Sequence, residues 1–265
     1  MDPFRSLQLL SRRSFVGMGL TGLAASLSGA CLTDPEDDQV NDGRLSARPR
    51  APTGTATSGI VGLNLGGFRD GVLLVPEGYA APQPVPLMVL FHGAGGAGSQ
   101  VLQRFSEAAQ EFKVAIVAPD SRGSTWDRIF TGQFRTDVTF IDQVLNLVFD
   151  RVAVDPTRVV AAGFSDGASY ALSLGLTNGD LFTRIAAFSP GFSNPGDRVG
   201  NPPIFISHGT ADPVLPIDVT SRRLVPELHA LGYGVRYREF EGGHAVPAAI
   251  AREGVEWLTG AAAVP

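Results

Sequence analysis

Residues 158–167 read Arg158-Val159-Val160-Ala161-Ala162-Gly163-Phe164-Ser165-Asp166-Gly167, and this stretch decides the fold. The unbroken apolar run predicts a buried strand. A glycine then stands two residues on either side of a serine. That spacing predicts a turn too tight for a side chain at the flanking positions, with the serine hydroxyl held out at the strand end. The following run, Ala168-Ser169-Tyr170-Ala171-Leu172-Ser173-Leu174, predicts a helix directly behind the turn. Strand, serine turn and helix in this order make Ser165 the candidate nucleophile.

A serine hydroxyl is a weak nucleophile at neutral pH. It needs a base within hydrogen-bond reach, and the base needs an acid to orient it. The chain has four histidines. His92 and His208 end strand-like runs, where bonds to nearby backbone are their expected role. His229 falls inside a helical stretch, Thr220–Leu231, where it is solvated. His244 sits in Glu241-Gly242-Gly243-His244-Ala245-Val246-Pro247, a glycine-flanked loop late in the chain, and is the candidate base. Asp212, in His208-Gly209-Thr210-Ala211-Asp212-Pro213, follows a strand through a short turn and is the candidate acid. Its competitor, Asp218, stands where the next helix should start and reads as a cap. Acyl transfer builds negative charge on a carbonyl oxygen, so N–H donors must be in place. The N–H of Asp166 and that of Ala94, in the turn Phe91-His92-Gly93-Ala94-Gly95-Gly96, are the candidates. That turn carries no G-K-[ST] pattern and is not read as a phosphate cradle.

With these segments in view the chain resembles the α/β-hydrolase family, most closely its small serine esterases: carboxylesterase and phospholipase-type enzymes, feruloyl esterases and polyhydroxyalkanoate depolymerases. The chain order Ser165, Asp212, His244 is the order of that family. The likeness spans roughly residues 59–260. It implies a serine hydrolase that cleaves carboxylic esters through an acyl-enzyme, with Gly93 among the residues at the substrate. One position departs from the family pattern: Asp166 stands where Gln, Asn, Met or His is common. Its carboxylate is expected to point away from the oxyanion, toward a neighbouring loop.

Strand-like runs recur near Ile60–Leu65, Val72–Val75, Leu87–Phe91, Val114–Ala118, Val159–Phe164, Ile185–Phe188, Ile204–His208 and Val235–Phe240. Helical patterns cover Ser99–Phe112, Val138–Arg151, Ala168–Leu176, Thr220–Leu231 and Ala248–Leu258. This alternation predicts the α/β class, of α/β-hydrolase type: a mostly parallel sheet of about eight strands flanked by helices, with the site at the strands' carboxyl ends. One catalytic domain is expected over residues 59–262.

Residues 1–30 read as an export signal. Ser11-Arg12-Arg13-Ser14-Phe15 matches a twin-arginine signature, and the apolar stretch to Ala30 is short for a membrane span. The sole cysteine, Cys31, ends Leu27-Ser28-Gly29-Ala30-Cys31, an imperfect lipobox at which the chain would be lipidated and attached to a membrane. The expected location is thus exported: a bacterial envelope lipoprotein, or a periplasmic or secreted protein. Residues 31–58, with the acidic run Asp34-Pro35-Glu36-Asp37-Asp38, read as a flexible tether.

The net charge is −5. Residues 1–30 carry three arginines and one aspartate, so the remainder carries −7. An acidic chain without a basic cluster is a poor nucleic-acid binder. No metal-ligand spacing is present, and no metal or cofactor is expected.

Substrate features are fewer. The loop Asp120–Phe130 should overhang the site. Trp126 there either lines an acyl or aromatic pocket or packs the loop. Arg122 and Arg128 either meet an acidic group or pair with Asp120 and Asp127. Pro190–Pro203, where a lid belongs, is short and polar, which predicts an open cleft for a small or polymeric ester. An acyltransferase on the same fold, a polyester depolymerase or feruloyl-type esterase, and a non-catalytic binding module are the competing functions.

Overall fold

The computed structural model describes residues 40–260. The proposed export signal and Cys31 lie outside the described residues, as do residues 31–39 of the proposed tether. The first strands are β1 (Gly59–Gly62), β2 (Gly71–Val75) and β3 (Val85–Phe91). Helices α1 (Gly98–Gln103) and α2 (Ser106–Glu111) lead to β4 (Ala115–Pro119). Then come α3 (Asp127–Thr131), α4 (Thr136–Arg151), β5 (Val154–Phe164) and α5 (Asp166–Thr177). The chain closes with β6 (Arg184–Phe188), β7 (Ile204–Gly209), α6 (Ser221–Ala230), β8 (Val235–Phe240) and α7 (Ala248–Leu258).

The eight strands form one sheet in the order β1-β2-β4-β3-β5-β6-β7-β8. Every pair from β4 to β8 is parallel, and β2 runs antiparallel to both of its neighbours. The alternation of strands and helices predicted this α/β-hydrolase architecture. The central strands are apolar throughout because helices cover both faces. Leu87, Val89 and Phe91 of β3 face a core built with α4, α5 and α6. Met88 and Leu90, one residue out of step, face a second core built with α1, α2 and α7.

The chain moves to one side of β3 for β4 and to the other for β5. Such a reversal opens a crevice at the carboxyl ends of the strands. Phe91 pairs with Gly163, so the turn after β3 and the serine turn after β5 leave the sheet side by side.

Three expectations need correction. Ser99–Phe112 is two helices, broken around Arg104 and Phe105, because Phe105 turns inward to pack 5.0 Å from Phe188. Asp218 caps nothing at α6, whose cap position is Thr220; it lies in a 3-10 turn, Ile217–Val219, and pairs with Arg222 at 2.7 Å. Residues 41–54 of the proposed tether are part of the fold. Leu45 and Ala47 are buried in the core beside α4 and α5. Asn178 receives the Leu45 N–H and donates to the Gly43 carbonyl, at 2.8 and 2.7 Å. Asp142 accepts from the N–H groups of Ser46 and Ala47, and Arg44 forks onto Asp180. Two apolar residues among arginines make too short an alternation to read as structure.

Candidate active site

Ser165 occupies the turn between β5 and α5 with φ 59° and ψ −123°, a backbone conformation that L residues rarely hold. The turn survives because its neighbours are glycines. A Cβ on Gly163 would collide with the Gly167 carbonyl, and one on Gly167 with the carbonyls of Phe91 and His92. The Ser165 N–H bonds to the Phe188 carbonyl at 2.9 Å, which ties the strained residue to β6.

His244 Nε2 stands 2.8 Å from Ser165 Oγ, and His244 Nδ1 stands 2.6 Å from Asp212 Oδ2. A carboxylate only accepts, so Nδ1 carries the proton and neutral Nε2 accepts from the serine hydroxyl. The other Asp212 oxygen, Oδ1, accepts the N–H groups of Val214 and Leu215 at 2.8 and 2.9 Å. Burial pushes the Asp212 carboxyl up. The Leu215 N–H, the His244 ring and the Val214 N–H outweigh it and hold the group below its ordinary range. Ser165, Asp212 and His244, chosen from sequence, are thus joined in one hydrogen-bonded chain.

The turn after β3 closes over the serine. A Cβ on Gly93 would lie 3.2 Å from Ser165 Cβ, so glycine is what lets the turn approach this closely. Within the turn the N–H groups of Gly95 and Gly96 are bonded to the Ser124 and Gly93 carbonyls. Among the described residues the Ala94 N–H makes no such bond. The Asp166 N–H opens α5 and has no intrahelical acceptor. Asp166 turns its carboxylate outward to accept from Thr125 Oγ1 at 2.7 Å.

Trp126 does not line a pocket, which corrects the first of its two readings. It is fully buried, stacked on Tyr170 at 4.8 Å and edge-on to Phe91, and its Nε1 donates to the His92 carbonyl at 2.8 Å. His92 accepts the Ser121 N–H at Nε2 and donates from Nδ1 to the Gly93 carbonyl. Burial lowers its pKa and keeps it neutral in this clamp. The arginines of the overhanging loop are also occupied. Arg122 lies on the Phe140 ring and donates to the Asp120 carbonyl. Arg128 ties the loop to Asn194 and Pro195.

Three features escaped the sequence reading. Arg69 Nη2 donates to the Gly96 carbonyl at 2.6 Å and braces the glycine turn from outside it. His208, fully buried, places Nε2 at 3.2 Å from Asp212 Oδ2 and 2.8 Å from the Leu215 carbonyl. Both partners accept, so Nε2 carries the proton, and Nδ1 takes the Ser221 hydroxyl at 2.6 Å. The only sequence signal was the four-residue interval from His208 to Asp212. The third is a column of hydroxyls on α5. Ser169, Ser173 and Thr177 each aim back at the carbonyl four residues earlier and accept from the loop at the lid position. Their partners are the N–H groups of Gly191, Asn194 and Gly196, all at 2.9 Å.

A cavity of about 260 Å³ adjoins the serine, lined by the His92–Ala97 turn, Gln100, Val101, Arg104 and Phe164. A larger one, of about 720 Å³, is lined by Leu65, Asp70, Arg122 and Phe140 among others; neither cavity is lined by Ser165, His244 or Asp212 themselves. Among the described residues no three His, Cys, Asp or Glu side chains converge as metal ligands would. Nor is any helix there long and apolar enough to cross a membrane.

Comparison with known proteins agrees with this geometry. Feruloyl esterase C of Emericella nidulans is 30% identical over 172 residues, covering 62% of this chain and 61% of that protein. Feruloyl esterase D of Neurospora crassa is 28% identical over 165 residues, covering 57% and 55%. The chain therefore spans about three fifths of the length of the curated relatives it matches. The S-formylglutathione hydrolase FrmB of Staphylococcus aureus shares the fold, with a TM-score of 0.63 at 17% identity over 80% of this chain and 99% of that one. A family model described as "Putative esterase" matches residues 64–224, from just after β1 through Ser165 and Asp212 into α6. The serine turn, the strand order and this match together show that the chain belongs to that esterase family.

Proposed function

We propose that the protein is a serine hydrolase of carboxylic esters. The observation that carries this reading is the unbroken path Ser165 Oγ, His244, Asp212, with spacings of 2.8 and 2.6 Å. In the proposed reaction Ser165 Oγ attacks the ester carbonyl while His244 Nε2 takes its proton. The oxyanion accepts from the N–H groups of Asp166 and Ala94. His244 then returns the proton to the departing alcohol oxygen, leaving an acyl group on Ser165. Water attacks this ester with His244 again as base, and the acid leaves. Asp212 keeps the imidazole in the Nδ1–H tautomer and stabilises the imidazolium. Gly93, expected at the substrate, acts by letting the turn reach the serine.

Within ester hydrolysis, the feruloyl esterases among the relatives support an aromatic acyl group, in a cleft left open by the short loop of residues 190–203. For localisation, the twin-arginine signature and Cys31 support export, with lipid attachment at that cysteine. Loss of labelled lipid on Cys31→Ser would test the attachment.

The deciding measurement is hydrolysis of p-nitrophenyl esters of increasing chain length and of methyl ferulate, by the parent and by Ser165→Ala. The expected loss in kcat for the variant is about 10⁴-fold or more. Activity surviving in Ser165→Ala would refute the mechanism. An added alcohol giving a new ester at the expense of acid would make the protein an acyltransferase.

A further inference from the structure

The rim of the candidate site carries a cation that the fold does not use. α1 stops at Arg104, where the chain bends so that Phe105 can enter the core. The exposed Arg104 guanidinium lies 5.4 Å from the centre of the Phe164 ring. Among the described residues it makes no ion pair and no side-chain hydrogen bond. Its neighbours around the site differ: Arg69, Arg122 and Arg128 are each committed to backbone carbonyls. Phe164 immediately precedes Ser165, and its ring centre lies 4.8 Å from that of His244. Arg104 and Phe164 both line the 260 Å³ cavity, together with the His92–Ala97 turn.

A guanidinium resting on an aromatic face is held flat, with its N–H edge free. That edge matches the two oxygens of a carboxylate. The cavity's position indicates which half of the ester meets it. His244 hands its proton to the leaving oxygen, so the alcohol must depart past the imidazole; Phe164 stands beside that ring, with Arg104 next to Phe164.

We propose that this cavity is a subsite for the alcohol half of the ester, with Arg104 receiving a carboxylate borne by that alcohol and Phe164 supporting its body. The substrates favoured would be esters of hydroxy acids, including phenolic and sugar acids, over neutral alcohols of the same shape. This inference rests on the esterase reading above.

The test uses two acetate esters of one shape, 4-acetoxybenzoate and the neutral 4-acetoxybenzamide, with the full chain and with Arg104→Gln and Arg104→Lys. The quantity read is the ratio of kcat/KM for the anion to that for the amide. A general loss of activity in a variant cancels in this ratio. The parent ratio should exceed that of Arg104→Gln by about tenfold, chiefly through KM. Arg104→Lys should fall between, and the parent's excess should shrink as salt is raised. Equal ratios in parent and Arg104→Gln would overturn the subsite. So would labelling of Ser165 by a fluorophosphonate without turnover of 4-acetoxybenzoate. Absence of both labelling and turnover in the parent would instead overturn the esterase reading.

Discussion

Asp212 accepts at both oxygens twice over: two backbone N–H groups at Oδ1, and His244 with His208 at Oδ2. The second histidine shares the oxygen that orients the first, and so helps to fix the carboxylate that positions His244. Replacing His208 by leucine leaves that oxygen to His244 alone. kcat should then fall with KM little changed, because Asp212 loses one of the donors that fix it. His208→Gln, which restores a donor, should recover part of kcat, whereas a general fold defect would not be reversed by it. One titration belongs to stability. Asp137 is buried, and its pKa rises from 3.8 to about 6 through that burial and the nearby Asp127 charge, against the N–H groups of Arg122 and Asp127. Between these values the folded chain binds the proton more strongly than the unfolded one. This group's contribution is therefore full below pH 4 and is lost as pH rises through 6. Urea unfolding of the parent minus that of Asp137→Asn should show the difference falling by up to about 3 kcal/mol across that window.

At the scale of elements, α5 does more than carry the nucleophile at its first turn. Its hydroxyl column meets the loop after β6 at three successive turns, so the segment at the lid position is fastened to the helix behind the serine. Ser173→Ala would leave the Asn194 N–H without its acceptor, at a cost of about 1–3 kcal/mol. Amide exchange at Asn194 should accelerate more than exchange in β7. The polar sequence Ser169, Ser173, Thr177 was visible, but a four-residue spacing of hydroxyls says nothing about the partner across the gap. Strands were the legible elements, because burial on both faces demands continuous apolar runs such as Leu87–Phe91. Helix limits were less so: nothing in Gln103-Arg104-Phe105-Ser106 marks a break whose cause, the pocket beside Phe188, lies 83 residues away in sequence. Trp126 shows the same limit, since the residue type suits a ligand wall and a core equally, and only Tyr170 and the His92 carbonyl decide between them.

Across the whole molecule, sequence order and the sheet explain why the site could be foreseen. Ser165, Asp212, His244 and the His92–Gly96 turn each follow a strand end, and a parallel sheet brings such ends to one edge. What could not be foreseen is contact from a segment with no periodicity of its own, such as residues 41–54. A chain beginning at residue 59 should unfold at lower urea than one beginning at residue 40, by roughly 2–5 kcal/mol, since it loses the buried Leu45 and the partners of Asn178. Asp142 and Asp180 would be left to solvent. The same arm has a consequence in time. Leu45 bonds to a residue 133 positions further along the chain. At the pace of ribosomal synthesis, on the order of ten seconds pass between the emergence of the two. Until then the arm lacks the α5 side of its docking surface, so the first part of the described fold to be made is among the last to be fully set in place.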